Sequence, residues 1–257
     1  MFSQVTENMK SKTIVVGYVL ALALFLFAQR RPTVVATPSV FHGIVDLTHP
    51  SMGFDAHPAS PGKMAEAKLR IANRESATQI EAPARVSKTL WSVDRIPPER
   101  LIGPLVVIDV RRQSDRDPDY QVSVEDIANW EHRYGEIPPG AMVMARTAWD
   151  SRWGSSKKYR NSDGHGVLHF PGYAEDAARF LVEGRNAFGL GIDTLSVDNG
   201  PSKKLAVHQY VLAHSVFPLE NVTNLERVPA NGAVAVIAPT KVEGEAVSQV
   251  RILALVK

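Results

Sequence analysis

A chain of 257 residues, 44% hydrophobic and 22% charged, carries enough apolar material for one sizeable domain with a real core, which argues against a largely disordered protein. A formal net charge of +2, without a Lys/Arg-rich stripe interleaved with aromatics, argues against a nucleic-acid partner. Zero cysteines exclude a disulfide framework and a thiolate metal site.

In chain order, a polar tail 1–12 precedes the uncharged apolar run 13–28 (TIVVGYVLALALFLFA), which has Lys10 and Lys12 before it and Arg30 and Arg31 after it. The run is short for a bilayer crossing, which needs about 20 apolar residues, and slightly long for a signal-peptide core. It lacks a small-x-small cleavage site, because Leu26 sits two residues before Ala28. Two readings stand: an uncleaved single-pass signal anchor that ties the protein to a membrane, or an export signal. Basic residues on both flanks leave the orientation open. Residues 29–42, with Pro32 and Pro38 and no periodicity, read as a tether.

The domain spans 43–257. At its start Phe41 to Pro50 reads as a strand of alternating type running into a proline turn. The stretch Glu75 to Arg85 (ESATQIEAPAR) is expected to run extended up to Pro83, with Glu75, Ala77, Gln79 and Glu81 on one face and Ser76, Thr78, Ile80 and Ala82 on the other. Taken alone, the polar face is expected to meet solvent. Leu105–Val110 and Ala141–Ala148 read as strands of a sheet covered on both faces. Ser123 with Asp126 marks the start of a helix through Tyr134. A second helix is expected from Ala174 to Glu183, ended by Gly184 in a left-handed cap, and a third around Val207–His214. Strands follow at Ala187–Val197, Val216–Leu219, Ala233–Ala238 and Val250–Val256. Mostly apolar strands and few helices give one mixed α/β domain.

Several stretches carry a family resemblance: Asp46-Leu47-Thr48-His49, Arg146-Thr147-Ala148-Trp149, His169-Phe170-Pro171-Gly172, Gly191 to Asp198 (GIDTLSVD), Gly200-Pro201-Ser202 and Leu219 to Leu225 (LENVTNL). In this order they resemble the metal-dependent cyclase family that includes bacterial kynurenine formamidase and isatin hydrolase. The resemblance implies a swivelling β/β/α-type domain, an active site among strand ends, a homo-oligomer and a small-molecule substrate. It also implies metal-assisted hydrolysis of an amide, lactam or N-formyl arylamine.

That family carries His-x-Gly-Thr-His-x-Asp-x-Pro-x-His. Its positions fall on Glu75, Ala77, Thr78, Gln79, Glu81, Pro83 and Arg85, so the frame is kept while the working side chains are replaced. A later His and Glu of the family fall on His208 and Glu220, both present. The resemblance thus implies a divalent metal, manganese or zinc with magnesium a further candidate, held by Glu75, Glu81, His208 and Glu220, with Gln79 and Arg85 as the residues facing the chemistry. Arg85 stands where the family's imidazole shuttles a proton. A guanidinium stays protonated and can only stabilise negative charge, and loss of a general acid/base costs about 10²- to 10⁴-fold in rate. The alternative is an inactive member in which Arg85 neutralises the carboxylates and the domain binds a small molecule or a partner. Loop histidines His165 and His169 and the tryptophans Trp149 and Trp153 read as surface or packing groups. The sequon Asn221-Val222-Thr223 lies in an apolar motif and reads as buried.

Overall fold

Stretches rich in Val, Ile, Leu and Met favour strands, and the computed structural model, which describes residues 40–50 and 77–257, shows ten strands among those residues. The run 13–28, most of the tether and Glu75 lie outside the described residues. Among the described residues no helix is long and apolar enough to cross a membrane.

The strands are β1 (Gly43–Asp46), β2 (Gln79–Glu81), β3 (Ile102–Asp109), β4 (Gln121–Val122), β5 (Met142–Arg146), β6 (Gly172–Tyr173), β7 (Gly189–Ile192), β8 (Phe217–Glu220), β9 (Ala233–Pro239) and β10 (Val247–Val256). Strands β4 and β6 form a separate pair, and the other eight form one sheet in the order β1-β10-β2-β8-β7-β5-β3-β9. β9 pairs with both β3 and β10, so the sheet returns on itself as a barrel. The length of β10 allows this. Its first residues pair with β2, Val250 to Leu255 pair with β9, and its last four pair with β1. Within this sheet the run β3-β5-β7-β8 is parallel and the remaining pairings are antiparallel, while the separate β4–β6 pair is parallel.

Two cores follow from the two-residue period. Leu105 and Val107 of β3, Met142 and Met144 of β5, Ile80 of β2, Phe217 and Leu219 of β8 and Ile252 of β10 fill the barrel interior. Val106, Ile108, Val143, Ala145, Leu190 and Ile192 point the other way, under the helices Val124–Tyr134, Glu175–Arg179 and Ala206–Ala213. β7 therefore offers the interior only glycines. A Cβ on Gly191 would lie 1.8 Å from Met144 Sδ, so the methionine occupies the space the glycine leaves.

The Val124–Tyr134 helix starts as its sequence predicts. Ser123 Oγ accepts from the Asp126 amide while the Asp126 carboxylate accepts from the Ser123 amide. The left-handed cap expected at Gly184 is not found. The α-helix Glu175–Arg179 continues as a π turn, Phe180–Gly184, and the left-handed residue is Asn186, at φ 51°. The extra length keeps Leu181 fully buried, with its carbonyl accepting from the Ala187 amide.

Candidate metal centre on the outer face of β2 and β8

Antiparallel pairing sets Gln79 opposite Glu220 and Ile80 opposite Leu219. Ile80 and Leu219 enter the barrel core, so Gln79, Glu81 and Glu220 emerge on the outer face. That face does not meet solvent, contrary to the simplest reading of the stretch. The Ala206–Ala213 helix and the 3-10 turn Pro83–Arg85 pack over it, and Gln79, Glu81, His208 and Glu220 are each 5% exposed or less. For Gln79 and Glu81 the covering helix lies more than a hundred residues along the chain, while the turn Pro83–Arg85 follows directly.

His208 projects between the two glutamates, its Nε2 lying 2.9 Å from Glu220 Oε1 and 3.4 Å from Glu81 Oε2. Its Nδ1 lies 2.5 Å from Asp198 Oδ2. The same carboxylate accepts from the amides of Val207 (3.0 Å) and His208 (3.1 Å), which fixes the start of the helix and the imidazole together. Glu220 is held on both oxygens: Oε2 accepts from Gln79 Nε2 at 2.6 Å and Oε1 from the Val197 amide at 3.2 Å. Arg85, one turn along from Glu81, forms an ion pair with Glu81 Oε2.

The structure thus brings Gln79, Glu81, Arg85, His208 and Glu220 together, while Glu75 lies outside the described residues. Asp198, the orienting carboxylate, was not singled out by sequence reasoning. An acid ten residues before the histidine, closing the Gly191–Asp198 motif, is the signal that points to it.

The charges are interdependent. Burial by itself would lower the His208 pKa, but hydrogen bonds to Asp198 and Glu220 and their charges raise it to about 9. Burial by itself would raise Glu220 and Asp198, yet both are lowered, Glu220 by His208, Gln79 and the Arg85 charge and Asp198 by His208. Buried carboxylates without such compensation cost several kcal/mol each, on the order of the whole stability of a domain.

The donor set fits a divalent cation. One imidazole nitrogen and two carboxylate oxygens from Glu81, His208 and Glu220 lie within 4.8 Å of one another. Beyond their ion-pair contacts, Glu81 Oε1, Glu81 Oε2 and His208 Nε2 are buried without hydrogen-bond partners, whereas buried polar atoms are normally satisfied. Nitrogen and carboxylate ligands suit zinc or manganese, and oxygen-rich sets also suit magnesium.

The cluster floors a cavity of about 200 Å³ whose apolar wall is Leu168, Phe170, Leu195 and Leu205. Close backbone packing holds this wall in place. A Cβ on Gly200 would lie 2.4 Å from the Leu168 carbonyl oxygen, so the loop carrying Leu168 and Phe170 lies directly on the Asn199–Ser202 turn. Leu205 has left-handed backbone, at φ 48°, a conformation that costs an aliphatic residue roughly 1–2 kcal/mol. Trp149 and Trp153 are buried with Tyr159 and Phe170, Asn221 is fully buried, and His169 is a partly exposed partner of Asp119 at 2.7 Å.

Motifs from opposite ends of the chain meet here. Thr78 Oγ1 donates to the Asn221 carbonyl and accepts from the His49 amide, while Asn224 Nδ2 donates to the Asp46 carbonyl. The chain is similar to known proteins over most of its length. Residues 45–199 match the family model described as "Putative cyclase". Isatin hydrolase of Roseibium aggregatum is 35% identical over 194 residues, 72% of this chain and 73% of that protein. Among solved structures, isatin hydrolase A from Ralstonia solanacearum superposes with a TM-score of 0.75 at 30% identity, covering 84% of this chain and 92% of that one. Isatin hydrolase A from Labrenzia aggregata, bound to benzyl benzoate, gives 0.73 at 31%, covering 83% and 93%. The chain belongs to the putative cyclase family.

Proposed function

We propose that this protein is a metal-dependent hydrolase of a small cyclic amide or an N-formyl arylamine, with its divalent ion held by Glu81, His208 and Glu220. The observation that carries the reading is the buried convergence of these three donors at the floor of a cavity, with Asp198 orienting the imidazole. Similarity to isatin hydrolases, whose names specify a fused aromatic lactam, supports the substrate class.

A bound divalent ion would polarise the scissile carbonyl and acidify water at neutral pH. The chain's own residues do the rest. Leu168, Phe170, Leu195 and Leu205 receive the apolar body of the substrate and exclude water around it. Asp198 keeps the His208 Nδ1 occupied and leaves Nε2 facing Glu81 and Glu220, where it would ligate the ion. Gln79 holds Glu220 in place. Arg85 lines the cavity and offers a fixed positive charge to the oxygen on which negative charge develops. Because guanidinium cannot take a proton, that task falls to Glu81, whose Oε1 has no hydrogen bond.

The test combines metal content with turnover. The full chain, purified without chelator and supplied with manganese, zinc or magnesium, should bind one ion and open isatin or deformylate N-formyl arylamines, followed by absorbance. H208A and E220A should lose both. Stoichiometric binding of these compounds without turnover in any metal would instead identify an inactive member that binds small molecules. The run 13–28 lies ahead of the domain, and we propose that it anchors or exports the protein. Fractionation of the expressed full chain between membrane and soluble pools tests this.

A further inference from the structure

A cation already sits on one of the carboxylates that a metal would use. Glu81 Oε2 is shared between the Arg85 guanidinium and His208 Nε2, and Glu81 is 1% exposed, so its charge has no help from solvent. Three buried carboxylates, Glu81, Asp198 and Glu220, surround one imidazole. Even with that imidazole protonated, two negative charges remain, and self-repulsion would push the elements apart. Arg85 removes one of them.

The neighbourhood gives the guanidinium an alternative position. Arg85 also lines a second, adjoining cavity of about 470 Å³, formed with Val86, Leu205, His208, Gln209 and Leu212. Its side chain is 18% exposed, unlike the carboxylate it pairs with. A long flexible stem beside open space can swing without disturbing the backbone.

We propose that Arg85 is a resident counter-cation: it holds the Glu81–His208–Glu220 cluster together in the metal-free protein, and an arriving divalent ion displaces it from Glu81 to the rim that the two cavities share at Leu205 and His208. The inference rests on the metal-centre reading above. Its consequence is that this protein binds its metal more weakly than the same donors would allow, and that metal loading places the guanidinium at the cavity wall.

The test is manganese and zinc affinity of the full chain by calorimetry for wild type, R85Q and R85K, with melting temperatures of the metal-free and loaded forms. R85Q should bind at least about tenfold tighter, as expected when a unit charge is removed close to a divalent ion in a partly screened site. R85K, which keeps the charge, should stay within about threefold of wild type. Metal-free R85Q should melt several degrees below wild type, and the gap should close when both are loaded. If R85Q will not fold without metal, R85M, which keeps the packing of the stem, decides the point. Equal or weaker affinity in the neutral variants, with wild type binding one ion, overturns the role of Arg85 and leaves the metal centre standing. No binding in wild type or any variant overturns both.

Discussion

Two buried carboxylate regions lie at neighbouring strand ends and are treated in opposite ways. Asp193, just beyond β7, is fully buried and accepts from the Thr147 amide at 3.0 Å and the Thr147 hydroxyl at 2.6 Å. Burial dominates, and its pKa rises to about 7, with the charge of Asp150 adding to the rise. Glu220 and Asp198 are buried almost as deeply, yet their pKa values fall because His208 faces both. Dipoles suffice to hold a carboxyl that is free to take a proton. Charge that must stay charged needs a cation, and the cluster around His208 is built for one.

The sharpest way to break the contrast is to remove that cation. H208A leaves Asp198 and Glu220 as uncompensated buried charges, and chemical denaturation should show a loss of about 3–5 kcal/mol together with loss of metal binding. A stable H208A protein that still binds metal would mean that the cluster is not organised around the imidazole.

Asp193 gives the next largest effect, through pH. Its folded pKa is raised from 3.8 to about 7, so the folded state binds the proton more tightly than the unfolded chain does. Stability therefore falls as pH rises through the window from 3.8 to 7, by on the order of 4 kcal/mol. D193N should flatten the denaturation midpoint across that window. An unchanged slope would assign it elsewhere.

His208 has the same sign at higher pH. Its pKa of about 9 in the metal-free protein lies above its unfolded value of 6.5, so its stabilisation is fully present below 6.5 and is lost as pH rises to 9. Metal competes with that proton, and manganese affinity should rise with pH over the same window. Replacing the orienting carboxylate, in D198N, should cost about 10- to 100-fold in metal affinity while leaving stoichiometry at one. Q79A, which removes only the 2.6 Å donor to Glu220, should cost about 1–2 kcal/mol and leave metal binding detectable.

What the sequence made legible was local or periodic. Ser123 and Asp126 announce their helix because a capping box is contained within four residues. β3 and β5 announce themselves because both of their faces are buried. Gln79 and Glu81 were readable as one face of an extended stretch, and the spacing from Glu75 to Arg85 matched a family motif. Burial of that face was not, since β8, β10 and the helix that cover it are remote in sequence. Barrel closure depends on β10 serving three partners, which no local pattern encodes. Gly184 misled because glycine permits a left-handed cap without requiring one, and the burial of Leu181 carries the helix past it.

The most direct measurement is anomalous diffraction from crystals of the full chain grown with manganese or zinc, collected on both sides of the metal edge. A single peak within bonding distance of Glu81, His208 Nε2 and Glu220, with the Arg85 guanidinium moved off Glu81, is the predicted result. Crystals of metal-loaded protein with no peak at that cluster, or with the peak at another group of side chains, would contradict the account.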